Sequence, residues 1–190
     1  AELWFMELDA TYMEDIVFDH VNDNYNYLSS FFSSPATGLM ANTSHMYSCF
    51  IWGLYLAQRF DTALMTDLWE GARFTTAYAA LSDSLAGRFG WTQDSAFAEF
   101  TAWNFCTNYR ADGLHHTEAS SFPLLTLDRT HNTYPVLTQN TLTSPQGYGS
   151  AYVQFFPNGS TGKLRLVFDG HDSRACGAYV IKTTGANTHQ

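Results

Sequence analysis

The sequence predicts an α+β fold: a helical subdomain of about five helices over residues 1–120, then a small antiparallel, β-sandwich-like domain over 121–190. Three observations predict it. The spacing of apolar residues changes from every three or four to every two near residue 120. Hydrophobic residues make up 45% of the chain and charged residues only 14%, the balance of a polymer that folds around a core. A length of 190 residues is enough for one large domain or two small ones.

The helices follow in order. Leu3, Met6, Ala10, Met13, Val17 and Val21 recur at helical spacing and predict one buried stripe. Asn22-Asp23-Asn24 weakens that helix, and Ser33-Ser34-Pro35 to Gly38 reads as a loop. A second helix starts after Asn42-Thr43-Ser44, with Thr43 or Ser44 as its cap, and runs to about Phe60-Asp61. The third covers about 63–70, the fourth about 76–86 with Gly87 and Gly90 at its exit, and the fifth about 95–108. Phe97, Phe100, Trp103 and Phe105 make the fifth nearly all apolar, as in a central helix. Beyond residue 120, four runs read as strands: 134–142, 151–156, 163–168 and 178–183. Turns at Pro157-Asn158-Gly159 and Asp169-Gly170 follow two of them.

Composition narrows the partners. A formal charge of −9 argues against nucleic acid and against an anionic membrane surface, both of which call for a basic footprint. No run of about 18 apolar residues exists to span a bilayer. The many Ser, Thr, Asn and Tyr residues, with few charges, suit an exported, extracellular protein. Cys49, Cys106 and Cys176 allow one bridge at most, or buried thiols. The chain opens at Ala1-Glu2-Leu3-Trp4 already in helical pattern and without a basic leader, which reads as a segment cut from something longer.

Chemistry concentrates in the first helix. Glu7, Thr11 and Glu14 share one face, beside the apolar stripe. A carboxylate flanking buried surface needs a cation, a donor or a metal, unless it belongs to a solvated acidic face. His45 and Tyr47 open the second helix, as core residues or as groups that could serve a reaction. His115-His116-x-Glu118 is either a polar loop or a weak metal site. Asn42-Thr43-Ser44 and Asn158-Gly159-Ser160 match the glycosylation pattern but serve as cap and turn. The chain has no phosphate-binding glycine loop, no GxSxG elbow and no CxxC pair.

Trp4-x-x-Glu7-x-x-Ala10-x-x-x-Glu14 resembles the helix that follows the HExxH helix in gluzincin metallopeptidases. Leu68-Trp69-Glu70, Phe97-Ala98-Glu99-Phe100-x-Ala102-Trp103-Asn104, Arg110-Ala111-Asp112, Ser121-Phe122-Pro123 and Leu166-Val167-Phe168-Asp169-Gly170 extend the likeness. Together they resemble the C-terminal half of secreted bacterial zinc metallopeptidases. The resemblance implies hydrolysis of peptide bonds in a peptide or protein substrate. It makes Glu7 the third protein ligand of a His-His-Glu zinc site with a position left for water. It offers Tyr47, and alternatively His45, as the donor to a developing oxyanion. Glu14 and Asp15 read as groups behind the ligand or on the surface.

The chain departs from that family at one decisive point. None of its seven histidines is followed by Glu, so HExxH is absent. Zinc could be held only with ligands from an N-terminal HExxH segment outside these residues, and activity is not expected of this chain alone. The rival reading is a non-catalytic extracellular module. Its Tyr148, Tyr152 and Tyr179 would contact polysaccharide or protein, or the chain would assemble with its own copies.

Overall fold

The computed structural model describes residues 2–137, 143–157, 159, 162–170, 175–184 and 188–189. Seven α-helices build it: α1 (Leu3–Val17), α2 (Tyr25–Ser33), α3 (His45–Ser48), α4 (Phe50–Arg59), α5 (Ala63–Gly71), α6 (Ala77–Phe89) and α7 (Gln93–Phe105). Every side chain of α4 from Phe50 to Ala57 is buried, so this helix is the axis of the core. The α1, α5 and α7 helices pack on it, α3 joins it to α1, and α2 lies on α3. The close crossing of α1 and α4 depends on Gly53, because a Cβ there would stand 3.3 Å from the Tyr12 ring.

Several helix ends follow from local chemistry. Thr76 Oγ1 accepts the Ala79 N–H at 3.1 Å, and Thr92 Oγ1 accepts that of Ser95 at 3.1 Å, so each caps the helix that follows it. Gly90, with φ of 68°, closes α6 in the left-handed conformation that glycine adopts without strain. Gly87, read as punctuation, lies inside α6. The first helix stops at Val17, and Asn22-Asp23-Asn24 leads into α2, where the sequence reading placed no helix. The expected second helix is broken at Cys49 into α3 and α4.

The expected antiparallel β-sandwich over residues 121–190 is overturned. Among the described residues, β1 (Arg129–His131) pairs in parallel with β2 (Val153–Phe155), and β3 (Thr183–Thr184) pairs antiparallel with β4 (Thr188–His189). Of the runs read as strands, 151–156 contains β2, while 163–168 makes no ladder. The run 178–183 reaches a ladder only at Thr183, residues 134–137 form none, and 138–142 lie outside the described residues. Asn158, in one expected turn, lies outside them as well. The physical reason is coverage. Leu164, Leu166, Val167 and Phe168 are all exposed, so neither face of that alternating run meets a second layer. Alternation marks a strand only where a partner takes its backbone groups and a layer covers one face.

The segment after residue 142 is tied to the helices instead. Gln146 N–H donates to Ala36 O at 2.9 Å, Ser150 N–H to Pro35 O at 2.8 Å, and Leu39 N–H to Tyr148 O at 3.2 Å. Gly149 crosses so near Ala36 that a Cβ would stand 2.3 Å from its carbonyl oxygen. Tyr152 donates to Thr101 O at 2.9 Å, on α7.

Two expectations follow. Truncating Phe100, whose ring meets Phe31, Trp52, Tyr55 and Phe97, should cost about 3–5 kcal/mol in urea unfolding. Val167→Ala should change stability by no more than about 0.5 kcal/mol, as for an exposed side chain. A loss of several kcal/mol from that second change would restore the sandwich.

Candidate functional site

Large side chains decide which face of α1 enters the core. Trp4, Phe5, Leu8, Thr11 and Tyr12 are buried against the neighbouring helices. The stripe that the spacing had placed inside looks outward: Leu3 is 47% exposed, Met6 43%, Met13 42% and Val17 59%. Both faces of α1 are therefore apolar, and the bulkier one wins the interior. Glu7 is half-buried at the border between them, one helical turn from Leu3 on one side and from Ala10 and Thr11 on the other. Thr11 Oγ1 donates to the Glu7 backbone carbonyl at 3.0 Å. Among the described residues the Glu7 carboxylate makes no hydrogen bond or ion pair.

Two carboxylates that the sequence reading left out, or placed at the surface, are buried on the inner face. Asp9 Oδ2 accepts the Trp69 indole N–H at 2.6 Å, and Oδ1 has no partner. Asp15 Oδ1 accepts from Asn24 Nδ2 at 2.7 Å. Burial pushes both carboxyls up, against the opposing pull of those hydrogen bonds. The Tyr12 phenol lies in their field and is pushed up as well, first by burial and then by the charges of Asp9 and Asp15. The spacing Asp9-x-x-Tyr12-x-x-Asp15, on the face of Trp4 and Leu8, was the signal that could have revealed them.

The two residues expected at the head of the second helix part company. His45 is buried, its ring stacks on Phe31 at 5.6 Å and 17°, and Nε2 has no partner. Burial pushes its pKa down, so the ring stays neutral. Tyr47 is partly buried, with its ring 5.7 Å from that of Tyr27. The contact of α3 with α1 places their helix beside the one bearing Glu7, but no hydrogen bond joins either side chain to Glu7 among the described residues. Glu7, His45 and Tyr47 alone do not form a zinc site.

A second group forms where α7 ends. The His115, His116 and Glu118 side chains do not converge. Nε2 of His116 lies 3.1 Å from Asn104 Oδ1 among Phe100, Trp103 and Phe122, and burial pushes its pKa down to about 3. Burial raises the Glu118 carboxyl, with the neighbouring Tyr25 hydroxyl opposing that shift. His115 turns the other way. Its ring nitrogen, the Cys106 sulfur and an Asp112 carboxylate oxygen all lie within 4.8 Å of one another.

Compared with known protein families, curated proteins and solved structures, the chain finds no match in any of the three.

The geometry offers two chemistries. The border of α1 presents one carboxylate beside an uncovered apolar stripe, and the end of α7 brings together a thiol, a carboxylate and an imidazole. The aromatic residues of the rival reading are mostly committed to packing. Tyr148 stands edge-on to Phe97 and donates to Asp94 Oδ1 at 2.8 Å, and Tyr152 is bonded to α7, whereas Tyr179 is open.

The buried Asp9 yields a signed pH dependence. Its folded pKa is raised, so it favours folding most fully below the unfolded Asp range, about pH 4, and this contribution is lost as pH climbs through the folded value. Trp69→Phe removes its one donor and raises that cost further. The substitution should destabilise by about 1–3 kcal/mol at pH 7 and by clearly less near pH 4, read from urea unfolding at each pH. Equal penalties at both pH values would assign the effect to ring packing.

Proposed function

We propose that this chain is the C-terminal portion of a secreted zinc-dependent peptidase, in which Glu7 supplies the third protein ligand to a zinc held mainly by an N-terminal HExxH segment. One observation carries the reading: the face of α1 beside Glu7 is apolar, follows helical spacing and is uncovered among the described residues. A helix that is apolar on both faces is suited to lie between two layers, and only one covers it among the described residues. Glu7 stands at the rim of the open face, and its carboxylate has no partner among the described residues. The resemblance of the Trp4–Glu14 segment to the glutamate helix of gluzincins supports an HExxH helix as the layer that would cover this face.

In this reading the roles of the chain's own residues are limited. Glu7 provides a negatively charged oxygen donor, and the Leu3, Met6, Ala10, Met13 and Val17 stripe orients it by docking. When bound, zinc would supply a water of lowered pKa and polarise the scissile carbonyl. Of the two side chains considered on α3, Tyr47 is the one left partly open, while His45 is enclosed with Phe31.

The test is the intact mass and metal content of the protein purified from its own cells. A polypeptide longer than these 190 residues, whose zinc content falls by about one ion per molecule in Glu7→Gln, is the expected result. A mass equal to this chain, with a zinc content that Glu7→Gln leaves unchanged, would overturn the proposal. So would a metal-free dimer that Met6→Glu dissociates, since the stripe would then be covered by a second copy.

A further inference from the structure

We infer that Cys106, Asp112 and His115 form a second zinc-type site at the end of α7, with a fourth position left to water, independent of Glu7. The three donors come from one short stretch of chain. Cys106 is the residue that closes α7, and a 3-10 turn at Asn108–Arg110 carries the backbone round to Asp112. Asp112 Oδ1 then accepts the Leu114 N–H at 3.0 Å, which holds the turn that presents His115. Nδ1 of His115 lies 2.8 and 2.9 Å from the two Asp112 oxygens, and the Trp103 ring stands edge-on to the imidazole at 5.6 Å.

The set of donors selects the ion. Thiolate with imidazole favours zinc and its neighbours over calcium or magnesium, which take oxygen ligands. Bonds of about 2.0–2.3 Å to a tetrahedral ion place ligand atoms about 3.3–3.8 Å apart, so the His115–Asp112 pair, now at 2.8 and 2.9 Å, would open slightly, and no atom of the set lies beyond 4.8 Å from another. Charge balances as well, because a divalent ion with one thiolate, one carboxylate and a neutral imidazole leaves no net charge to bury. The thiol proton leaves to solvent as sulfur binds the metal, and the ring proton of His115 resides on Nε2.

The alternative, a cysteine nucleophile with a His-Asp pair behind it, fits poorly. The Cys106 side chain is 1% exposed. Arg110, which lies 4.3 Å over the Phe105 ring, places a cation in range of Cys106, and the two anionic ligands must outweigh it.

Cobalt(II) titration of the full 190-residue chain tests the site, because a thiolate ligand gives a near-ultraviolet charge-transfer band that oxygen and nitrogen ligands do not. The band should appear at about one cobalt per chain and vanish in Cys106→Ser. It should need at least about tenfold more cobalt in Asp112→Asn and in His115→Gln. Circular dichroism on each variant identifies any that fails to fold, and the two milder changes then decide. Glu7→Gln should leave the band unchanged, so this site stands or falls apart from the peptidase reading. No band in the folded chain, or a band that survives Cys106→Ser, would overturn the inference. Rapid alkylation of Cys106 at neutral pH, unaffected by cobalt, would overturn it in favour of a nucleophile.

Discussion

Between Phe50 and Ala57 the chain has no solvent-facing side chain, and a helix so placed must be covered from every side. The arrangement of the other helices answers that demand. Gly53 admits α1, while Trp52 and Tyr55 stack and meet Phe100 of α7. The Tyr55 hydroxyl, which could not stay buried without a partner, donates to Glu99 at 2.8 Å. Arg59 reaches the same Glu99 oxygen at 2.8 Å from the wetter end of α4. That ion pair is about one-third exposed, so it orients α7 on α4 more than it strengthens the contact.

This axis explains which parts of the fold were legible. Helices with polar caps and a glycine stop could be placed from sequence because the signals are local: Thr76, Gly90 and Thr92 each act within a turn of their own position. The helix expected to be central was α7, on the strength of its aromatics, but α7 buries one face while α4 buries all round. The helix that was missed, α2, carries Leu28, Phe31 and Phe32 at helical spacing, and its entry through Asn22–Asn24 reads in sequence as a weakening of the first helix. The strands failed for a different reason. A helix satisfies its own backbone, whereas residues 163–168 depend on a partner that no local pattern names.

The two candidate sites differ in the same way. Glu7 could be singled out because a resemblance spans a single helix, and its neighbours at three and four residues follow from helix geometry. The trio at the end of α7 is set by how a loop folds back. Adjacency suggested His115, His116 and Glu118, yet consecutive side chains diverge, and the structure sends His116 into the aromatic core while His115 turns toward Cys106 and Asp112. Cys106 joins His115 only because the turn at Asn108–Arg110 reverses the chain between them.

The α1 helix carries opposing energies that make sense only together. Its inner face encloses Asp9 and Asp15, whose raised pKa values mark a cost of burial as ionised groups. Its outer face leaves Leu3, Met6, Met13, Ile16 and Val17 in water, where covering each would stabilise by on the order of 1 kcal/mol. A helix built only to close this core would have carried its apolar side chains inward and its carboxylates outward. One that must be gripped from both sides needs apolar residues on each, and polar groups are then forced to the borders or held by specific donors, as Trp69 and Asn24 hold Asp9 and Asp15. Glu7 stands at a border without such a donor among the described residues, and in the proposed reading it is the carboxylate left for the zinc.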